Sequence, residues 1–171
     1  MRTSVQSGAE IGAETDGGGL APLMPHRPPM VLIDGIEKFD FEERSLTAVV
    51  KITPSSQFFS PGKAKTDGGV PSWAALEYMA QAAAALSGSI EKTMDPEAQP
   101  RPGLLLGTRR LSIGLPFFRE GEAYRVCATM AYFDEVSAAF DCKIADGAGS
   151  EVASAIITAF RPPDFRMFLE S

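Results

Sequence analysis

The chain has 171 residues, 44% of them hydrophobic, with 16 Lys and Arg against 22 Asp and Glu for a formal net charge of −6. One domain with an ordinary core fits that length, and the negative balance argues against general nucleic-acid binding, which needs clustered Lys and Arg on phosphates. Without a basic-then-apolar leader at the N-terminus or an apolar run long enough for a bilayer, a cytoplasmic protein with no membrane span is expected.

Residues 1–19, MRTSVQSGAEIGAETDGGG, are small and polar with no aromatic. They cannot bury enough surface to offset ordering entropy, so a flexible tail is expected, followed by a single domain over 20–171. RPPMVLIDGIEKF predicts a strand over Met30 to Ile33 and a turn at Asp34–Gly35. RSLTAVVKIT predicts a second strand, its β-branched residues concentrated in the second half. A Gly-, Lys- and Ser-rich loop over 54–70 leads to a helix, and a polar connection over 91–102 follows it. Then LLLGTRRLSI, AYRVCATMAYF, SAAFDCKIAD and SEVASAIITAF read as four strands separated by turn residues such as Gly121–Glu122 and Asp146–Gly147. Cys127 and Cys142 fall in separate strand-like runs and read as buried thiols; no second pair suggests zinc, and no metal is expected. Strands, one apolar helix, then four strands give an α+β fold, an antiparallel sheet curled round a helix.

The helix, within GGVPSWAALEYMAQAAAALSG, has Pro71 suited to its first position and Gly88 suited to the residue past its end. From Pro71 to Ser87 it would be a rod of roughly 25 Å. Trp73, Leu76, Ala80, Ala83 and Ala84 share one face, while Ala75, Met79, Ala82 and Leu86 cover much of the rest. A helix apolar nearly all round is a buried one. Its single charged side chain, Glu77, therefore lies either at a rim or in a site.

The element order and three segments resemble the hotdog fold and, within it, the 3-hydroxyacyl-ACP dehydratases. LMPHRPPMVLID (23–34) is similar to the family's opening Leu-Pro-His-Arg motif, VPSWAALEYMAQAAAA (70–85) to its helix motif, and GTRRLSIGLPFFREGE (107–122) to its later strand with a Pro before a Gly turn. The resemblance covers roughly Leu20 to Pro163. It implies a dimer with sites at the interface, removal of water from a 3-hydroxyacyl chain held as a thioester on acyl carrier protein, and no metal or organic cofactor.

The resemblance also assigns roles. Glu77 matches the helix glutamate; an apolar setting would favour the protonated carboxyl that a general acid needs. The amides of Ser72 and Trp73, at the first turn of the helix, would polarise the thioester carbonyl, with Gln81 one turn beyond Glu77 in the substrate-binding set. The family's loop histidine, by ungapped count from Pro71, falls at Lys63, in a segment with no histidine, and Ser72 stands where the family usually has glycine. His26 is the chain's single histidine and lies in the opening motif, not at the family's catalytic position; it is the rival base. Arg109 and Arg110 are candidates to touch the acidic carrier protein, at most one of them if strand alternation holds. Three functions follow: a dehydratase completed by a partner hotdog subunit in a homodimer or heterodimer, an acyl thioesterase using the helix glutamate, or a non-catalytic subunit of a hotdog heterodimer.

Overall fold

A computed structural model describes residues 19–62 and 68–162. The expected N-terminal tail, Gly19 apart, and Lys63 lie outside these residues. Six antiparallel strands form the main sheet: β1 (Gly35–Asp40), β2 (Ser45–Lys51), β4 (Leu104–Ile113), β6 (Ala123–Phe133), β7 (Ser137–Ala145) and β8 (Glu151–Phe160). They lie in the order β1-β2-β6-β7-β8-β4. The helix α1 (Ala75–Met94) packs across β2, β6, β7 and β8. The class expected from the sequence, α+β with a sheet round one helix, is the one observed.

Period-2 patterning explains why the sheet faces the helix in one register. Leu46, Ala48 and Val50 of β2, Tyr124, Val126 and Ala128 of β6, Phe140, Cys142 and Ile144 of β7, and Ala153, Ala155 and Ile157 of β8 are all buried. Their intervening neighbours point away, so a one-residue slip would expose the whole set. From the helix side, Ala75, Tyr78, Met79, Ala82, Ala85 and Leu86 meet this layer. Alanine here lets the helix backbone lie close to the sheet. Both cysteines are free thiols, Cys142 buried and Cys127 half-buried beside the Thr47 hydroxyl.

Four expectations change. The strand expected over Met30–Ile33 is an irregular segment, and β1 begins only at Gly35; the Met30 carbonyl and Leu32 amide bond to a helix side chain and not to a neighbouring strand. The helix does not stop at Gly88. A 3-10 turn over Ser72–Ala74 precedes α1, which runs to Met94, and Gly88 is a packing residue whose absent side chain makes room for the Leu23 backbone. Two short strands were not foreseen, β3 (Gly69–Pro71) and β5 (Phe117–Arg119), which pair in a ribbon of their own. At Gly69 a Cβ would stand 2.1 Å from the Phe118 carbonyl oxygen, so only glycine fits that pairing. Trp73, expected on a buried face of the helix, is 57% exposed and packs edge-on against Phe58 with ring centroids 4.9 Å apart.

β4 is an outer strand with irregular pairing. Its register with β8 shifts between Leu105 and Gly107 and again between Arg109 and Ser112, and Arg110 takes φ of 55°. The bulge breaks the alternation assumed for adjacent residues: Arg109 and Arg110 are both exposed.

Candidate functional site

Gln81 organises the site. It is fully buried, and each end of its amide is occupied. Its Oε1 accepts the Leu32 N–H at 2.8 Å, while its Nε2 donates to the Met30 carbonyl and to Glu77 Oε1, both at 2.8 Å. Residues four apart on a helix are neighbours, so Gln81 reaches Glu77 directly. The irregular opening segment thereby satisfies its backbone through the helix side chain and locks the carboxylate at the same time.

Glu77, expected either at a rim or in a site, lies part-exposed on a cleft wall. Its side chain keeps 36% of its exposure, and His26 Nε2 stands 3.7 Å from Oε1, beyond hydrogen-bond length. The two sequence candidates for acid–base work therefore come together, although 51 residues separate them. His26 owes its place to the tight turn before it, where Leu23 and Met24 donate to the Leu20 carbonyl. Arg27 braces the same turn by donating to the carbonyls of Met24 and His26.

Glu77 and His26 lie on the wall of a cleft of about 630 Å³ between α1 and the sheet. Its helix wall is the stripe Glu77, Ala80, Ala84, Ser87 and Glu91, spaced three and four apart so that all face one way. Between the two carboxylates the stripe rises roughly 21 Å. At the far end Glu91 is held by both Arg101 and Arg161. Met130, Phe133, Phe140, Ile157 and Phe160 line the sheet side. The cleft is thus a long apolar trench with Glu77 and His26 at one end and an ion cluster at the other, a shape suited to an extended hydrophobic chain.

The expected carbonyl-polarising amides fare differently. The Ser72 N–H donates to the Pro116 carbonyl at 3.1 Å, so it is already engaged. Trp73 is the middle residue of the 3-10 turn that Ser72 opens, and neither is among the cleft residues. Tyr78, on the buried face of the helix, has its phenol pushed upward by burial and by the nearby Asp34 and Tyr124, and stays neutral in the core. Arg109 and Arg110 sit on β4 and are not among the cleft residues. Among the described residues no cluster of His, Cys, Asp and Glu could hold a metal ion. No helix of the described residues is long and apolar enough to cross a membrane.

The Glu-x-x-x-Gln spacing makes the Glu77–Gln81 hydrogen bond legible in the sequence. Sequence reading missed, first, the Met30 and Leu32 partners of Gln81 and, second, the ion cluster at Glu91. The second has no local signal, because Arg101 and Arg161 reach Glu91 from distant segments.

A curled antiparallel sheet wrapped round a central helix defines a hotdog protein, here with a helix carboxylate facing an apolar cleft. The model of the ApeP-like family, ApeP dehydratase, matches residues 19–170, and the chain belongs to that family. It is 34% identical over 91 residues to the 3-hydroxyacyl-[acyl-carrier-protein] dehydratase FabZ of Chlamydia pneumoniae, covering 53% of this chain and 57% of that protein. With the enzyme of the same name from Anaeromyxobacter dehalogenans it is 38% identical over 69 residues, 40% of this chain and 43% of that one. The chain thus spans about half the length of the curated relatives it matches. Among solved structures, the dehydratase heterocomplex ApeI:P from Xenorhabdus doucetiae superposes with a TM-score of 0.76 at 24% identity, over 88% of this chain and 95% of that one. The PaaI protein of Escherichia coli gives 0.53 at 14% identity, over 74% and 82%. At these identities the structural likenesses establish the hotdog fold.

Proposed function

We propose that this chain is a subunit of a dehydratase that removes water from a 3-hydroxyacyl thioester on acyl carrier protein, giving the 2-enoyl thioester, and that a second hotdog subunit closes its cleft. The observation that carries the reading is Glu77, oriented by Gln81 and facing His26 at the head of an apolar trench. The acyl chain lies along Ala80 and Ala84, with its thioester end beside Glu77. Elimination beside a thioester needs a group to move the proton and a donor to polarise the carbonyl, which Glu77 and His26 supply without a metal or organic cofactor.

The proposed partner covers β4. This outer strand leaves Leu105, Leu106 and Leu111 exposed, an apolar edge of the kind that pairing protects. The homodimer and the heterodimer are both open to this edge; the family membership and the likeness to a dehydratase heterocomplex favour a different hotdog chain. Arg109 and Arg110, exposed on the same strand, suit the acidic surface of a carrier protein.

The test offers 3-hydroxyacyl and saturated acyl carrier-protein thioesters to the protein alone and mixed with a histidine-bearing hotdog dehydratase subunit. Enoyl product from the mixture, far more than from the chain alone, and its loss in Glu77→Gln, is the expected result. Free thiol released from both thioesters would make the protein a thioesterase. Turnover by the mixture that survives Glu77→Gln would make it a non-catalytic subunit.

A further inference from the structure

The two ring nitrogens of His26 have opposite surroundings. Nδ1 is buried and has no hydrogen-bond partner among the described residues. The side chain as a whole keeps 28% of its exposure, and Nε2 is the nitrogen that stands near Glu77 on the cleft wall. A neutral imidazole has one N–H and one lone pair. With the hydrogen on Nδ1, a donor would be buried with nothing to accept it, and the Nε2 lone pair would face a carboxylate oxygen. With the hydrogen on Nε2, the buried atom is an acceptor, the less costly orphan, and the N–H points toward the carboxylate.

The polarity of Glu77 is fixed from the other side. Because the Leu32 N–H occupies the Gln81 carbonyl, the Gln81 NH₂ is the group lying between the Met30 carbonyl and Glu77. Glu77 Oε1 is therefore held as an acceptor. The Ser72 amide, meanwhile, is committed to Pro116, which leaves the head of the cleft in need of another donor for a carbonyl oxygen.

Resting on the dehydratase reading, we propose that His26 is a hydrogen-bond donor to the thioester oxygen through Nε2–H, not the base, and that Glu77 is the group of this chain that moves the proton. The Glu77 carboxylate takes the proton from the carbon next to the thioester carbonyl. The electron pair left there forms the C=C bond as the C–O bond to the 3-hydroxyl breaks. The same proton passes from Glu77 to the departing oxygen, which leaves as water, and the carboxylate is restored. His26 gives up no proton in this sequence and needs none.

Because His26 is the single histidine of the chain, isotope labelling of this chain gives one imidazole in a long-range proton–nitrogen correlation spectrum, alone or bound to an unlabelled partner. The expected pattern is a hydrogen on Nε2. A hydrogen on Nδ1 with a bare Nε2 overturns the assignment. In the active assembly, His26→Gln, whose amide nitrogen falls where Nε2 lies, should stay within about tenfold of the wild-type rate, whereas Glu77→Gln should lose ~10²–10⁴-fold. A loss of that larger size for His26→Gln, in a variant with an unchanged melting temperature, would make His26 the base and sink the proposal. No elimination from any 3-hydroxyacyl thioester would overturn the functional reading instead, and the tautomer measurement decides the donor assignment separately.

Discussion

Gly88 lies against the Leu23 carbonyl so closely that a Cβ at this position would stand 1.8 Å from the oxygen. The contact joins the middle of the helix to the turn that carries His26. Alanine is about 1 kcal/mol better than glycine inside a helix, so propensity alone would make Gly88→Ala stabilising. Here the clash is with backbone, which cannot rotate away, and overpacking of that kind costs ~1–3 kcal/mol. Gly88→Ala should therefore lower the melting temperature and disturb the His26 imidazole signal; a rise in melting temperature would show that the turn before His26 is free to shift.

Gln81→Leu keeps the volume and removes three hydrogen bonds at once. The Met30 carbonyl and the Leu32 amide lose their partner in a part-buried setting, and each such loss costs ~1–3 kcal/mol. Denaturant unfolding should show a destabilisation of about 2 kcal/mol or more, with faster amide exchange at Leu32. Turnover should also fall at temperatures where the variant is fully folded, because Glu77 has lost the donor that orients it. Stability unchanged within error would mean that the segment over Met30–Leu32 finds other partners.

Cys142 sits between sheet and helix with its thiol pushed up by burial to about 12. The thiolate is the reactive form, so Cys142 should resist thiol reagents at neutral pH in the folded protein. Cys127, only half-buried, should react first. Quantifying modified thiols by mass spectrometry with and without denaturant checks this; rapid native labelling of Cys142 would imply that the sheet opens away from α1.

Asp134 shapes the turn between β6 and β7. Its carboxylate accepts the Val136 N–H, the Tyr132 hydroxyl and the Ser137 N–H, and these donors hold it below the ordinary aspartate range. A carboxyl lowered in the folded state contributes stability that is present above its unfolded value and lost as pH falls through the folded one. Asp134→Asn should thus be less stable than wild type near neutral pH, with the difference closing on acidification below the usual carboxylate range. Melting temperatures of both proteins across that range measure it, and a gap that widens in acid would contradict the assignment.

The long strands were legible because each buries alternate residues: AYRVCATMAYF and SAAFDCKIAD carry the period that β6 and β7 display. The helix was legible from composition, its end was not. Gly88 looked like a terminator because the neighbour that demands a glycine, Leu23, is remote in sequence. β1 was misplaced for a similar reason, since VLI has strand character but the Leu32 amide is claimed by Gln81, 49 residues away. Glu77 stood out as a lone charge among apolar residues. That His26 would face it depended on the fold of the opening segment, which no spacing encodes, and the Arg109–Arg110 alternation failed at a bulge that the sequence does not announce.

The bracing of Glu77 has a consequence for how assemblies of this type diversify. Among the described residues the carboxylate is aimed by Gln81 one turn on, itself held by the backbone at Met30 and Leu32. The outer strand β4 contributes nothing to that scaffold. If a companion pairs along β4 as proposed, it can be exchanged without disturbing the hydrogen bonds that aim Glu77. Modularity of that sort is written in a single buried amide.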